Sequence, residues 1–569
     1  MGRAHAYTRL ALLSTLIFGL SGAAAQADLK SEAKPRYGGT LNVGTVYATL
    51  SALSWDPEDW TWKANHDAGM VREQLYVADL AQAVSRGGPH KYVSEAHIPE
   101  AAVKGELAQR WEWEDARTLV IHLRRGVFFP AKSGVMPRRE LNAEDVLYTF
   151  NLINDSPKKS TAGYFDYIDR IEVRDDHTLV FHLNSFNAEW QYRFGYGYQS
   201  SIVPVETAGV DRKRWQNVVG TGPFELLRYV QGNLHEYGRR ADYWGSLQLD
   251  GDEYALPFVD VVKYRIIKDE ATILTAIRTG KIDILENMRW IAVDHMKATT
   301  PELRWSRWLT QTGNFLSLRL DHELFGDKRV RRALNLAVNQ EEIARLFYGG
   351  HAELMAYPQH PEFGDYFQPL TDMPESVQEL FTFNPPKARA LLAEAGYPDG
   401  FEFRVQVCSC SPSNMDLLPL IGKYLADVGV EIIIEPMEYG AYLSLMTTKN
   451  HGPGYFMNNG HTNPIATLRK FGSGHTWNPS LHRNPEFDAD LLRLVQTEDE
   501  GERIELARRL TTYLLDTAMY IWLPANYNYT AWWPWVKNYG GELRAGAVRP
   551  GPIYAQIWID QELKRSMGF

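Results

Sequence analysis

Three tryptophans and four acidic residues stand close together near the start of the chain, in the stretch “SWDPEDWTWKANHD”. They are Trp55, Trp60, Trp62, Asp56, Glu58, Asp59 and Asp67. Indole rings bury a large area, either in a core or against a bound ligand, and two carboxylates at a suitable separation could serve a glycosidase. The sequence does not give that separation, and we favour the simpler interpretation of the acids as solvated side chains.

Other patterns that carry chemistry are missing or weak. The chain has no G-x-x-x-x-G-K-[ST] loop for ATP, no H-E-x-x-H and no Cys/His spacing for zinc. The sequence “GSGH” at Gly472 lacks the G-x-S-x-G spacing of a serine hydrolase. Five scattered histidines are more typical of surface or hydrogen-bonded side chains than of ligand contacts: His351, His360, His451, His461 and His475. We therefore predict no catalytic residue, no metal site and no cofactor.

Only two cysteines occur, Cys408 and Cys410 in “VQVCSCSP”. On a strand both sulfurs would point to one face, with their Cα atoms near the outer limit for a disulfide. Three states are open: two unpaired thiols, which we favour, a strained disulfide, or a metal or redox pair. In each case stability must come from burial and not from a disulfide framework.

The first residues have the order of a secretory signal peptide. Arg3 and Arg9 precede a short apolar run, and Ala25–Ala27 has the small-x-small pattern of a cleavage site. The run is shorter than the roughly 20 residues of a membrane span, which disfavours a retained anchor. No cysteine stands near the site to carry a lipid. We predict removal of residues 1–27 and a free periplasmic protein that starts near Asp28.

Length and charge narrow the class further. A chain of 569 residues exceeds what one hydrophobic core usually organises, so two or three domains are expected. Loss of Arg3 and Arg9 with the leader would change the formal net charge from −10 to −12. An acidic balance disfavours nucleic acid as a partner. We expect a soluble monomer.

The residues from about 53 to 201 have the pattern of a separate α+β unit. The segments “TLVIHL” at Thr118 and “TLVFHL” at Thr178 alternate side chains as half-buried strands do. Between them Asn142 is placed to cap a helix over “AEDVLYTFNLI”. The similarity of the two strands indicates either a repeat or two similar hairpin strands, and we favour the hairpins.

The rest of the chain alternates strands and helices. The strand “FEFRVQV”, the helix “DLLPLIGKYLADVG” and the strand “VEIIIEP” form a βαβ pattern. Such a pattern implies a mostly parallel sheet covered on both faces. Helix caps are predicted at Asp269, Asn339 and Asn384, and helix ends at Gly280 and Gly396.

Eight segments of the chain share an order with a known family. They are “YGGTLNVG” at Tyr37, “WDP” at Trp55, “LAQRWEWEDARTLVIHLRRGVFF”, “LNAEDVLYTF”, “VGTGPFELL”, “VDVVKYRIIKDEATILTAIRTGKIDI”, “VRRALNLAVNQEEIARLFYGG” and “FNPPKARALLAEAGYPDGFEF”. Read together, they resemble the extracellular solute-binding proteins of family 5, the oligopeptide-, dipeptide- and nickel-binding components of ABC importers. The resemblance covers nearly all of the chain from Tyr37 to about Tyr539.

The resemblance implies a two-lobe α/β fold, the type II periplasmic-binding-protein fold, with an extra α+β domain inserted in lobe I. Lobe I would collect residues 28–52, 202–285 and 522–569, the insertion residues 53–201, and lobe II residues 286–521. Hinge closure of the lobes on a ligand is how such proteins work. The family also implies a binder and not an enzyme, with a small-molecule solute and an inner-membrane permease and ATPase complex as partners.

The family gives the tryptophans a place beside the ligand cleft. Trp55 takes a position where the family usually has Leu, and we expect it in the core. Some members have a ligand-contacting aromatic where Trp60 stands. For Trp60 and Trp62, ligand stacking and lobe packing remain equally open.

One departure from the family concerns a peptide's amine. Peptide-binding members commonly carry an Asp in a lobe II segment resembling G-W-x-x-D-Y-x-x-P, where it pairs with that amine. The segment here is “YFMNNGHTNP”, in which Gly460 or Asn459 takes the place of the acid and Met457 or Asn458 that of the aromatic residue. A buried ammonium without a counter-charge is costly. We therefore expect peptides with a free amine to bind poorly.

The amide side chains of this segment suit a different ligand. Asn and His side chains form hydrogen bonds with hydroxyl or amide groups, although an Asn pair also forms plain turns. An oligosaccharide or glycoside is therefore the second ligand class beside a peptide-like or other small polar solute. A ligand-sensing subunit and a secreted hydrolase are the alternatives to an importer component. The predicted ligand-binding residues are Trp60, Trp62, Asn458, Asn459, His461 and His475.

Overall fold

The computed structural model describes residues 34–49, 55–58, 62–156, 167–460 and 462–569. The predicted signal peptide, Trp60 and His461 lie outside these residues. Within the described ranges, no helix combines the length and the apolar composition that crossing a bilayer requires.

A first sheet of eight strands is mixed in direction. Thr40–Thr45 lies near its centre, parallel to Val261–Ile266 on one side and to Ile284–Arg289 on the other. Leu41 and Val43 of this strand are completely buried, as expected of a strand covered on both faces. In spatial order the strands are Phe224–Val230, Leu234–Arg239, Val261–Ile266, Thr40–Thr45, Ile284–Arg289, Ala525–Trp532 and Arg304–Leu309, with Ala352–Glu353 also paired to Ala525–Trp532.

A second sheet of five strands is built from the later half of the chain. Phe401–Cys408 and Val430–Met437 pair in parallel and are connected through the helix Pro412–Ala426, which confirms the predicted βαβ unit. Neighbouring side chains enter separate cores, Phe315 on one face and Leu316 on the other. The spatial order is Val430–Met437, Phe401–Cys408, Gly454–Gly460, Thr312–Leu318 and Tyr520–Trp522.

The similar segments “TLVIHL” and “TLVFHL” are the two central strands of a third sheet. Thr118–Leu123 and Thr178–Leu183 run antiparallel, with Val120 opposite Val180. Each is the inner strand of a hairpin, which agrees with the interpretation we favoured. The spatial order is Ala108–Asp115, Thr118–Leu123, Thr178–Leu183 and Ile168–Asp175.

Helices cover the sheets, and short two-stranded ladders lie within the segments that connect the larger elements. The α-helices are Trp62–Ala68, Ala143–Asn154, Glu270–Arg278, Trp290–Thr299, Lys328–Ala337, Gln340–Glu342, Glu375–Gln378, Pro385–Glu394, Pro412–Ala426, Tyr439–Thr447, Pro464–Arg469, Pro485–Gln496, Glu500–Asp516, Gly551–Ala555 and Gln561–Ser566. The ladders pair Tyr76–Ala78 with Val103–Gly105, Phe128–Phe129 with Arg139–Glu140, Ser246–Leu249 with Asp252–Ala255, and Val536–Lys537 with Trp558–Ile559.

The predicted helix caps are present. Asn142 and Asp145 form a reciprocal capping box at the start of Ala143–Asn154. The side chains of Asp269, Asn339 and Asn384 each accept a hydrogen bond from the backbone N–H three residues later. A capping side chain satisfies an N–H that has no partner inside the helix, so these positions set where the helices begin.

Two short connections join the first and second sheets, in addition to the longer segments that lead to and from Ala352–Glu353. Residues 310–311 link Arg304–Leu309 to Thr312–Leu318, and residues 523–524 link Tyr520–Trp522 to Ala525–Trp532. Arg304–Leu309 thus belongs to the first sheet, beyond residue 285, where we predicted lobe I to end. The alternation of apolar and polar side chains predicts a strand but does not identify the strand with which it pairs. Here that partner is Ala525–Trp532, near the C-terminus.

Cys408 and Cys410 form a disulfide, and our favoured prediction of unpaired thiols is wrong. The strand ends at Cys408, and the chain turns through Ser409. The turn brings the two Cα atoms to 5.1 Å. That distance suits a disulfide and is shorter than the roughly 6.6 Å that two steps along a strand would span.

Candidate functional site

In the stretch “SWDPEDWTWKANHD”, some of the described side chains lie in the core and others form ion pairs. Trp55 is 1% exposed, as predicted, and its ring meets those of Tyr229 and His235 edge-on. Trp62 begins the helix Trp62–Ala68 and is half-buried, with its ring edge-on to Tyr47 at a centroid distance of 5.2 Å.

The described acids of this stretch are paired with cations, and Asp56 and Asp67 are also buried, so the prediction of solvated side chains is wrong for these two. Arg212 contacts Asp56 at 3.1 Å and Glu58 at 2.6 Å. Asp67 is completely buried and contacts Lys63 Nζ at 2.5 Å. Burial would raise the pKa of Asp67, but the charge of Lys63 helps to hold it well below its usual value. These acids therefore do not form a free glycosidase pair.

A small cavity of about 50 Å³ opens beside the first sheet, at the end of strand Thr40–Thr45. Trp62 and Tyr47 line one part of it, and Glu286 and Arg544 another. The Arg544 guanidinium lies 4.0 Å from Glu286 and donates one hydrogen bond, to the carbonyl of Leu543 at 2.8 Å.

Glu286 is held in its charged form. Burial would raise the pKa of its carboxyl, but His66 at 3.9 Å, the charge of Arg544 and a hydrogen bond from Tyr554 lower that pKa to about 2. An ionised carboxylate and a guanidinium thus stand together at the cavity wall.

The loop Pro89–Glu100 lies between this cavity and the second sheet. Its backbone is fixed by the C-terminal region, because Leu543 N and Arg544 N both donate to Tyr92 O at 3.0 Å. Val548 N donates to Glu95 O at 2.8 Å. The main chain of Glu95 is therefore tied to the segment that carries Arg544.

The side chain of Glu95 points at Gly460 on the second sheet. A Cβ atom built on Gly460 would lie 3.3 Å from Glu95 Oε2. Tyr198 donates its hydroxyl proton to Glu95 Oε1. Burial raises the pKa of Glu95, opposed by the Tyr198 hydrogen bond and by the charges of Lys470 and Arg544.

Lys470 approaches the same point from the second sheet's side. It follows the helix Pro464–Arg469, and its Nζ donates to Asn459 Oδ1 at 3.0 Å and to the carbonyl of Gly460. Burial lowers the pKa of Lys470 to about 8, although Glu95 opposes the shift. We refer to Glu95, Tyr198, Asn459, Lys470 and Arg544 as the cleft cluster.

The structure brings together only part of the predicted site. Asn459 is 5% exposed and belongs to the cleft cluster. His475 is close to Lys470, whose charge is one cause, after burial and Arg469, of its lowered pKa of about 4. Asn458 is exposed, and its amide oxygen accepts a hydrogen bond from Asn414 at 2.6 Å. Asn458 and Asn459 therefore bind different neighbours.

The absence of an acid at Gly460 is compensated in three dimensions. We expected no carboxylate at this place, because the local segment contains none. Glu95, 365 positions earlier in the sequence, brings its carboxylate to the same point. The expected penalty for a ligand amine beside Gly460 therefore does not follow.

Little in the sequence pointed to Glu95, Lys470 and Arg544. Each lies in a segment without a chemical motif, and charged side chains in such segments are usually solvated. Lys470 had a weak signal, since it follows the helix capped by Asn463 in the same segment as Asn459. Glu95 and Arg544 had none.

A second cavity of about 490 Å³ lies between the loop Pro89–Glu100 and residues 361–366 and 463–465. Glu189 is buried at its edge and contacts Arg469 at 2.9 Å and the amide of Asn463 at 3.0 Å. Burial would raise the pKa of Glu189, but Arg193 and Arg469 lower it to about 2. These contacts tie Glu189 to the segment that contains Asn463 and Arg469.

Within the described part of the chain, no group of three or more His, Cys, Asp or Glu side chains is placed to hold a metal ion.

Comparisons with known proteins agree with this architecture. A family model described as “Bacterial extracellular solute-binding proteins, family 5 Middle” matches residues 102–473. “Di/tripeptide-binding protein 1” of Pseudomonas aeruginosa is 27% identical over 486 residues, 81% of this chain and 84% of that protein. “Heme-binding protein A” of Haemophilus influenzae is 26% identical over 550 residues, 91% of this chain and 93% of that protein.

A solved structure shares the fold over almost its whole length. The periplasmic binding protein DppA from Helicobacter pylori, in complex with the peptide STSA, superposes with a TM-score of 0.73 at 23% identity. The match covers 92% of this chain and 99% of that one. The fold is the two-lobe α/β fold of type II periplasmic binding proteins, and the chain belongs to the bacterial extracellular solute-binding proteins of family 5.

Proposed function

We propose that this protein is the periplasmic binding component of an ABC importer, which captures a peptide-like or other small polar solute between its lobes and delivers it to the membrane permease and ATPase complex. The observation that supports this proposal most strongly is the cleft cluster. Its charged groups come from three separate parts of the chain: Glu95 lies against Gly460, Lys470 donates to the Gly460 carbonyl, and the charge of Arg544 helps to oppose the raised pKa of Glu95.

The charges favour a charged or zwitterionic solute over a neutral one. Lys470 and Glu95 are both displaced from their usual pKa by burial. A neutral ligand would seal these groups from water without compensating their charges, which is costly. The names of the peptide-binding relatives are consistent with this class.

An oligosaccharide or glycoside remains the second ligand class. The half-buried ring of Trp62 lines the 50 Å³ cavity, and an indole face suits a sugar ring. The six predicted contacts remain part of this proposal, now joined by Glu95, Lys470 and Arg544. They are Trp60, Trp62, Asn458, Asn459, His461 and His475.

The proposed domain division follows the sheets. Lobe I comprises residues 28–52, 202–285 and 522–569, extended by the first-sheet residues 286–289, 304–309 and 352–353, while Trp522 belongs to the second sheet. The insertion is residues 53–201, and the rest of 286–521 is lobe II. The two connections at residues 310–311 and 523–524 are the hinge about which the lobes close on the solute.

The protein acts outside the cytoplasm, in keeping with the family. We propose that it reaches the periplasm through a cleavable signal peptide that ends at Ala27, carries no lipid and works as a monomer.

Native mass spectrometry of the protein purified from its own periplasm tests the proposal, because closed binding proteins retain cargo. A bound small solute is the expected result. Small-angle scattering should then show a smaller radius of gyration with that solute than after its removal by partial unfolding and refolding. Conversion of the solute to a product would instead identify a secreted hydrolase, and a pull-down that captures a membrane receptor without a permease would identify a sensor.

A further inference from the structure

The disulfide between Cys408 and Cys410 does little to cross-link the fold. It closes a loop that contains a single residue, Ser409. A disulfide stabilises a protein mainly by restricting the unfolded chain, and this effect grows with the length of the closed loop. The turn also has other bonds, because the backbone N–H and the hydroxyl of Ser409 both donate to the carbonyl of Met437 at 2.9 Å. The disulfide therefore holds no distant parts of the chain together.

The two cysteines differ in their access to solvent. Cys408 ends the strand Phe401–Cys408, is 5% exposed and belongs to the core that also contains Met457. Cys410 is exposed and stands two residues before the helix Pro412–Ala426. Thiol–disulfide exchange begins when a thiolate attacks an accessible sulfur. An incoming thiolate therefore reaches Cys410 first.

The surroundings suit Cys408 as the thiolate that leaves. The backbone N–H of Cys410 donates to Cys408 Sγ at 3.2 Å. A hydrogen bond to a sulfur favours its anionic form, and a better stabilised thiolate leaves faster. The amino end of the helix Pro412–Ala426, which favours negative charge, follows directly in the chain. Both cysteines are thus placed for opening of the disulfide from the Cys410 side.

The disulfide turn stands beside the candidate site. The strands Phe401–Cys408 and Gly454–Gly460 are parallel neighbours in the second sheet, so the turn and Asn458 lie at the same end of that sheet. Asn414, in the first turn of the helix that follows, is 4% exposed, and its amide donates to Asn458 Oδ1 at 2.6 Å. A change in the turn is therefore transmitted to Asn458 through Asn414.

We propose that Cys408 and Cys410 form a reversible redox site, which a dithiol opens at Cys410 and whose state decides how firmly Asn414 holds Asn458. One thiolate of the dithiol attacks Cys410 Sγ, the disulfide bond breaks, and Cys408 leaves as a thiolate that takes up a proton. The second thiol of the dithiol loses its proton and attacks the mixed disulfide, which releases Cys410 as a thiolate that is protonated in turn. The dithiol becomes a disulfide, so two electrons pass to the cysteine pair.

Reduction of the folded protein tests the site. The full chain is incubated with dithiothreitol at pH 7, and free thiols are trapped with N-ethylmaleimide and counted by intact-mass spectrometry. Modification of both cysteines is expected while circular dichroism still shows a folded protein, because exposed disulfides are the readily reduced ones. A disulfide that opens only after the protein is unfolded in guanidinium would overturn the inference.

Glutathione, a monothiol, locates the sulfur that is attacked. Peptide mapping of the acid-trapped mixed disulfide is expected to find glutathione on Cys410, and its presence on Cys408 would contradict the proposed direction. In single variants, the thiol that remains in Cys408→Ser is expected to react with N-ethylmaleimide at least about tenfold faster than the buried thiol that remains in Cys410→Ser. Equal rates would also contradict the direction. If either variant fails to fold, mapping of the wild type still decides.

Hydrogen exchange measures the effect on Asn458. In the reduced protein, the start of the helix Pro412–Ala426 and the strand Gly454–Gly460 are expected to lose protection, while the helix Glu500–Asp516 serves as the internal control. The double variant Cys408→Ser/Cys410→Ser should resemble the reduced protein with and without dithiothreitol. Unchanged protection in the reduced wild type would refute the effect on Asn458. No solute takes part in these measurements, so failure of the redox site is distinguishable from failure of the proposed solute capture.

Discussion

Glu95 Oε2 lies where it would meet a side chain at Gly460, 3.3 Å from the position of the missing Cβ atom. The acid comes from the loop Pro89–Glu100 and the glycine from the end of strand Gly454–Gly460. The absence of a side chain at residue 460 leaves room for this approach. An ionisable group is thereby placed beside Lys470 by a segment distant in sequence.

A carboxylate at residue 460 should therefore harm ligand binding. In Gly460→Asp two acids would compete for one position, and like charges a few ångströms apart repel by several kcal/mol at the effective dielectric of a protein surface. We expect at least about a tenfold loss of affinity for the native solute by calorimetry. Gly209→Asp, where a Cβ atom meets nothing within 4 Å, is the control. Undiminished binding in Gly460→Asp would show that Glu95 does not hold this position in the bound form.

The ion pair between Glu189 and Arg469 should stabilise the closed form. Arg469→Gln removes one cation from a buried carboxylate while Arg193 stays in contact at 3.0 Å. Loss of a partner from a buried pair typically costs about 3–5 kcal/mol, less where a second cation remains. We expect a larger radius of gyration with solute and weaker binding. Arg493→Gln, which removes an exposed ion pair, should change neither.

Low pH should weaken the ion pair between Glu189 and Arg469. The pKa of Glu189 is lowered to about 2 in the folded protein, against about 4.3 in an unfolded chain. A depressed carboxyl pKa contributes stability that is complete above the unfolded value and is lost as the pH falls from about 4.3 towards 2. Melting temperatures measured from pH 6 to pH 2.5 should fall more steeply in wild type than in Glu189→Gln. Parallel curves would assign acid sensitivity to other groups.

The charge of Lys470 should make binding sensitive to alkaline pH. Its pKa is lowered to about 8, and a bound carboxylate would raise that pKa by favouring the ammonium form. Affinity for a solute with an anionic group should be constant below pH 8 and fall above it. Glu95 and His475 also face this group, but His475, with its pKa lowered to about 4, stays neutral in this range. Lys470→Arg should abolish the dependence between pH 7.5 and 9.5.

The N-terminus of the exported protein provides a separate test. We expect Edman sequencing of material from the periplasm to begin at Asp28, with no attached lipid, because a small-x-small site precedes it. Retention of Met1, or a lipid found by mass spectrometry, would contradict this prediction.

Features that depend on near neighbours could be predicted from the sequence. Alternation identified the strands at Thr118 and Thr178, and side chains such as Asn142 and Asp269 identified where helices begin. A cap or a strand period is decided within a few residues, so it can be read from one segment. The order of eight such segments was also enough to indicate the family.

The meeting of distant groups became visible only in three dimensions. The pairing of Arg304–Leu309 with a C-terminal strand, and the approach of Glu95 and Lys470 to Gly460, depend on contacts between segments far apart in the chain. No local pattern encodes such a contact, because a charged side chain has the same local signature whether water or a folded cleft surrounds it. The chemistry of the site therefore comes from the packing of lobes, while the fold class comes from the sequence.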